Sequence, residues 1–252
     1  MRAQSRPCLR LLPGGSGSSR LGGSASTSGA WPRHGGRPLS LIAQLDLAEM
    51  RAAGSPDWLP AEGRLLFFYE LELSSWGFDP NDAGSALVRY ETAIGDDVAE
   101  PDDLPAHGRF DAYPITFVAD ISLPSEERLT IDWKTLSAQE QGKLEAAVEA
   151  ATPAEPAHQI GGYPLTVQGD NMELECQLVT SGVYVGNSKG YSKPNVEAAK
   201  PGSTDWRLLL QLDTDDTVGM MWGDTGRLYF WIREQDARAG DFSKTWTILQ
   251  CH

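Results

Sequence analysis

LLLQLDTDDTVGMMWGDTGRLYFWIR (208–233) places four aspartates, two methionines and a tryptophan between two runs of strand formers. Two readings compete for it: a cation-binding loop, or a β-hairpin with its tip. An EF-hand loop wants oxygen ligands at positions 1, 3, 5 and 12, with glycine at 6 for the sharp turn. Counted from Asp213, the ligand positions fall on Asp215, Thr217 and Asp224, but position 6 is Val218 and Gly219 comes one late. Asp224 also lacks the reach of the bidentate glutamate, and LLLQLD is strand-like where a helix should enter. A site for Ca²⁺ or another divalent cation on Asp213, Asp215 and Asp224 stands as the alternative, and no other cofactor is predicted. The hairpin needs less. LLLQLD is a strand, Gly219–Trp222 is a short strand, Gly223-Asp224-Thr225-Gly226 reverses the chain, and RLYFWI returns. Aspartates in such turns accept local backbone N–H groups. Met220, Met221 and Trp222 then line a core or a groove.

The same tokens occur earlier in the chain. LIAQLD (41–46) matches LLLQLD (208–213) at four of six positions, and GRLLFF (63–68) matches GRLYFW (226–231) at Gly, Arg, Leu and Phe. Gly22-Gly23 and Gly161-Gly162 precede the two units. The order predicts duplicated β-units, roughly 20–73 and 158–233, related by a pseudo-twofold and packed face to face. In both, Gln and Asp are expected on the strand face opposite the leucines at 41/45 and 208/212. Gln44 and Asp46 would then converge with Gln211 and Asp213 near the axis, in a cleft that also takes His158 and Trp222. The competing assignment gives the glutamines to edge backbone groups and the aspartates to caps.

Strand patterns dominate elsewhere: 38–47, 63–73, 110–123, YPLTVQ (163–168), MELECQLV (172–179) and 245–251. LRLL (9–12) reads as an edge strand followed by a Gly/Ser loop, in competition with an Arg- and Ser-rich transit-type leader. Helices are few. SAQEQGKLEAAVEAA (137–151) opens on a capping box of Ser137 and Glu140, with Leu144, Val148 and Ala151 on one face. Asp46 and Glu49 start a short helix that Gly54 ends. Single turns are expected at 80–84 and 233–240, and TPAEPAHQIGGYP (152–164) connects the two halves. The fold class is α+β, mainly β, a single domain over 1–252 with a few peripheral helices.

The chain has 252 residues and a net charge of −14. Residues 1–40 hold six arginines and no acids, which leaves the body with 15 basic against 35 acidic residues. Such a body repels phosphate backbones, which argues against nucleic acid and for a protein partner with a basic surface. No apolar run approaches the ~20 residues that span a bilayer, so no membrane is expected. Three cysteines without a CxxC pair fit a reducing cytoplasm.

No GxSxG and no P-loop occurs. A zinc site from Cys176, Cys251, His158 and His252 would need four distant segments to meet, and the two cysteines read as buried small apolar residues. Glu173 and Glu175 alternate along a strand face, where acid/base work competes with solvation. The eight tryptophans and the exposed-looking GFDP turn (77–80) suggest binding surfaces.

SRLGGSA, WPRHGGRPLSLIAQLDL, GRLLFFYE, WGFDPNDAGSALVRYE, HQIGGYPLTVQGDNMELECQL and the run from DWRLLLQLD to the end together resemble the bacterial YwqG-like family, which carries the domain-of-unknown-function label 1963. The likeness covers about residues 10–252 and is densest from 158 onward. It is least typical at 22–31, where relatives carry a Pro-rich loop, and the chain starts close to its first strand, so a short leading helix is expected to be missing. The resemblance implies an α+β domain rich in β-structure and no established reaction. Secreted-toxin genes beside some relatives add a hint of an immunity or interaction role. The expected function is a non-enzymatic binding module of the bacterial cytoplasm, the alternative a cation-binding protein or metal-dependent enzyme built on 213–224.

Overall fold

The structure is a computed structural model that describes residues 5–73, 75–93, 95–129, 135–192, 194 and 196–252. Arg2 and Trp133 lie outside the described residues. Ten strands form one sheet: β1 (Arg6–Pro13), β2 (Arg20–Leu21), β3 (Ser40–Asp46), β4 (Arg64–Tyr69), β5 (Ala86–Glu91), β6 (Tyr113–Ser122), β7 (Gln159–Gly161), β8 (Trp206–Asp213), β9 (Arg227–Arg233) and β10 (Trp246–Gln250). Their order is β10-β9-β8-β7-β1-β6-β2-β3-β4-β5, and every neighbouring pair is antiparallel. Two short ribbons lie outside it, Ala25–Ser26 with Asp97–Val98 and Arg33–His34 with Arg37–Pro38. The α-helices are α1 (Leu47–Ala52), α2 (Ala138–Ala151), α3 (Met172–Val179), α4 (Val196–Ala199) and α5 (Glu234–Arg238).

Rather than two layers, this is one continuous sheet that curls into a nearly closed barrel until its edge strands β5 and β10 come together. Its inward side chains share one core, in which Phe67 of β4 and Phe230 of β9 meet edge to face at 5.2 Å. LRLL is no edge strand: β1 pairs with β6 along its whole length and with β7 on its other side.

The register of β3–β4 is interrupted between Leu41 and Ala43, and that of β8–β9 between Leu208 and Leu210. Each bulge reverses the alternation. Leu45 and Leu212 therefore point into the barrel, while Leu41 and Leu208 turn outward into separate apolar clusters. This corrects the expected face, since Gln44 and Gln211 share the outer side with Leu41 and Leu208.

MELECQLV is not a strand but α3. Met, Glu, Leu and Gln are strong helix formers, and Glu173 and Glu175 fall in the first turn, where the helix dipole favours them. Met172, Glu175, Cys176 and Val179 are its buried stripe, at helical spacing. YPLTVQ is irregular. Side chains serve its backbone instead of a neighbouring strand: Leu165 N donates to Gln211 Oε1 at 2.8 Å, and Val167 N and Gln168 N to Gln250 Oε1 at 3.0 and 3.1 Å. In α2 the capping box of Ser137 and Glu140 is present, but Leu144 and Val148 are only half-buried.

The β4–β5 connection covers the rim at β10. Leu249 N donates to Trp76 O at 3.1 Å, and Trp246 Nε1 to Gly77 O at 2.8 Å. GFDP is therefore not an exposed turn: Gly77 is buried and Phe78 half-buried. At Gly77 φ is +81°, and a Cβ would lie 1.9 Å from Thr247 O. Gly77→Ala is expected to cost about 2 kcal/mol from strain and overpacking. Urea denaturation checks this, and an unchanged midpoint contradicts the closure described here.

Candidate functional site

The opening hairpin is observed. β8 and β9 pair from Trp206–Arg233 to Asp213–Arg227, and 214–226 forms the tip. The expected strand at Gly219–Trp222 reduces to a single bridge between Asp215 and Met220. Asp215 Oδ1 accepts Thr217 N at 2.8 Å, which shapes the turn. Met220 and Trp222 are buried, whereas Met221 is exposed.

Beside this tip, the end of the 152–158 connector meets β8. Asp213 is 4% exposed, and its Oδ2 accepts Ala157 N at 2.8 Å while its Oδ1 accepts Arg227 Nε at 2.9 Å. Arg227 also donates to Leu165 O at 3.0 Å and to Glu155. Burial opposes charge on Arg227, but Asp213 and then Glu155 outweigh it and hold the guanidinium above its ordinary value. Gln211 clamps the incoming segment by donating Nε2 to Ala157 O at 2.7 Å and accepting Leu165 N at 2.8 Å. Trp222 Nε1 donates to Asp213 O at 3.0 Å.

His158 completes the network. Its Nδ1 accepts the Asp213 N–H at 3.0 Å, so in the neutral ring the proton sits on Nε2, facing Asp215 Oδ2 at 3.3 Å. Burial lowers the imidazole pKa against the opposing pull of Asp215. A neutral donor in this place orients the ring without requiring a buried cation.

The structure thus brings together His158, Gln211, Asp213, Asp215 and Trp222, and leaves out Gln44, Asp46 and Asp224. Four strands separate β3 from β8 in the sheet. Gln44 Oε1 accepts Ser26 N at 2.9 Å, and Asp46 is the N-cap of α1, accepting Ala48 N at 2.9 Å and Glu49 N at 3.1 Å. Asp224 is an exposed turn residue. Asp213 and Asp215 spend their carboxylates on protein donors, and among the described residues no group of three or more His, Cys, Asp or Glu could hold a metal ion. Cys8, Cys176 and Cys251 are free and buried.

Arg227, Arg10 and Gln159 escaped the sequence-based assignment of the site. The matched arginines of GRLLFF and GRLYFW were the signal for the first. Arg10 donates to Asp120 at 2.9 Å and to Gln159. Arg10 and Arg227 line a cavity of about 300 Å³ with Ser122, Val148, Glu155 and Leu165.

The two hairpins differ in one respect. Arg64 faces Asp46 across β3–β4 as Arg227 faces Asp213 across β8–β9. Asp46 is turned to cap α1, and the buried Arg64 Nε and Nη1 have no acceptor among the described residues; nor does Gln44 Nε2.

Over this scaffold the chain matches the model of a family described as a domain of unknown function, DUF1963, across residues 19–251. The chain belongs to that family. No curated protein matches it. For this DUF1963 domain no helix among the described residues is long and apolar enough to cross a membrane.

Away from the seam, Glu175 of α3 is buried. Its Oε1 accepts Tyr191 OH at 3.2 Å, and its Oε2 has no hydrogen-bond partner among the described residues. Burial pushes its pKa up to about 7. A raised carboxyl pKa contributes stability that is fully present below the unfolded value near 4.5 and is lost as pH rises through about 7. Glu175→Gln, which keeps the shape without the charge, is expected to match the parent at pH 4 and to be more stable by roughly 2–3 kcal/mol at pH 8. Urea midpoints at the two pH values check this, and equal midpoints at pH 8 contradict it.

Proposed function

We propose that this DUF1963 domain is a non-enzymatic binding module of the bacterial cytoplasm whose acidic exterior engages a protein with a basic surface. The observation that carries this reading is the complete pairing at the seam. Asp213 and His158 spend both side-chain hydrogen-bonding atoms on protein groups, which leaves neither as an idle general base. Excess negative charge lies outside. On α2, Glu140, Glu145 and Glu149 are exposed against one Lys143, and Asp96 and Asp102 are exposed in the segment before β6. Charge of one sign on a surface steers an oppositely charged partner and weakens as salt rises.

We further propose that the duplication expected at roughly 20–73 and 158–233 extends to two larger units, β1–β5 and β6–β10, related by a pseudo-twofold between β1 and β6. Supporting this, the strand order is unchanged when each strand is exchanged with its counterpart five places on and the order reversed. The bulges fall at matching positions, and Gln44 and Gln211 each accept a backbone N–H four residues beyond the first glycine of a Gly-Gly pair. Each unit then lends its first strand to the other.

Affinity capture from the native host at low and high salt tests the partner reading. The expected result is an identified basic protein retained at low salt, released at high salt, and weakened by Glu145→Lys with Glu149→Lys. Retention indifferent to salt contradicts it.

A further inference from the structure

A second cavity, of about 510 Å³, is walled by segments far apart in sequence: Arg6 and Pro7 at the start of β1, Gly54–Trp58 after α1, Gly161-Gly162 at the end of β7, and Thr204 with Arg207 and Leu208 entering β8. That volume lies in the range of small-molecule sites. Its chemistry is opposite in sign to that of the acidic body. Arg6 is exposed, stacks 4.0 Å over the Tyr163 ring and has no carboxylate partner among the described residues. Arg207 is fixed by Glu234 at 2.9 Å and Thr204 O at 2.7 Å. The acid on the wall, Asp57, is paired with Arg238 at 3.3 Å. Ser55 lines the same cavity, is only 8% exposed, and its Oγ is buried without a hydrogen-bond partner among the described residues. Trp58, also 8% exposed, supplies an aromatic wall.

We propose that this cavity binds a small oxyanion, carboxylate or phosphate, that carries a short apolar tail. The head takes charge-assisted hydrogen bonds from Arg6 and Arg207 and the hydroxyl proton of Ser55, and the tail lies against Trp58. A buried hydroxyl without a partner costs stability that a ligand oxygen recovers. The two guanidiniums give the head its sign and direction. This site is independent of the protein-partner reading, so failure of either leaves the other standing.

Inorganic phosphate, phenyl phosphate, acetate and benzoate are titrated into the full chain, with sodium chloride at matched ionic strength as the control. Amide spectra and thermal midpoints are read together. The expected result is saturable binding of at least one head-group class, with the aromatic member tighter than its simple counterpart and perturbations centred on Gly161, Gly162 and the Trp58 indole. Which class binds identifies the head. Arg6→Gln, at an exposed position, should weaken binding roughly tenfold or more. Ser55→Ala should weaken it too while leaving the free protein as stable or more so. No saturable response to any of the four overturns the site, as does a response reproduced by chloride or retained by Arg6→Gln. Equal affinity for aromatic and simple anions overturns the Trp58 contact.

Discussion

Replacing Asp213 with alanine is expected to lower stability by about 3–5 kcal/mol, the scale for removing one partner of a buried ion pair. The loss strands the Arg227 guanidinium, with its Nε–H 2.9 Å from the missing oxygen, and leaves the Ala157 N–H without its acceptor. Arg227→Met should fall in the same range, because it leaves the Asp213 charge buried. The double variant should lose less than the sum of the singles, since each single change already removes the shared contact. The first hairpin supplies the contrast. Arg64 occupies the place of Arg227, yet its buried Nε and Nη1 have no acceptor among the described residues. Arg64→Met, which removes unmatched donors and keeps much of the packing, should be neutral or stabilising. Urea midpoints at constant slope measure all four variants. Equal losses at Arg64 and Arg227 would show that the pairing at Asp213 does not set the difference.

Trp222→Ala is expected to cost about 3–5 kcal/mol, as for other large-to-small changes at buried aromatic positions. The ring is 2% exposed and meets Tyr69 at 6.0 Å and Phe110 at 6.4 Å, both edge to face. It therefore ties the tip of the β8–β9 hairpin to the end of β4 and to the segment before β6. Its indole N–H also serves the Asp213 carbonyl. Trp222→Phe keeps most of the packing and gives up that hydrogen bond, so a loss of about 1–2 kcal/mol is expected. If alanine and phenylalanine cost the same, the hydrogen bond and not the packing holds the tip.

What the sequence disclosed follows from how local each signal is. The β8–β9 hairpin was legible because its turn residues and flanking strand formers are contiguous. The helices after Asp46 and Ser137 were legible because capping is a matter of three residues. MELECQLV misled because apolar residues at 172, 174, 176 and 178 fit a period of two, while the helical stripe includes Glu175, a carboxylate that no hydropathy pattern places inside. The outward turn of Leu41 and Leu208 was hidden because one bulged residue reverses every later side chain. At the site, Gln211 and Asp213 were found from repeated tokens, His158 was placed in the same cleft, and the three do meet. Gln44 and Asp46 were drawn to the same point by the same tokens and do not, because β7, β1, β6 and β2 stand between the two hairpins in the strand order. That order is set by pairings across more than a hundred residues, such as Arg10 with Val118, which no short pattern encodes.

Where the 152–158 connector meets β8, the scaffold is complete: His158 is neutral and its one proton sits on Nε2. Long-range ¹⁵N–¹H spectra of the imidazole, recorded from pH 8 down to pH 6.5, report both points. The expected spectrum shows one protonated and one bare ring nitrogen throughout, with the bare one assigned to Nδ1. A ring that takes up a second proton near the ordinary value of about 6.5, or that carries its proton on Nδ1, would show that this network is not held as described.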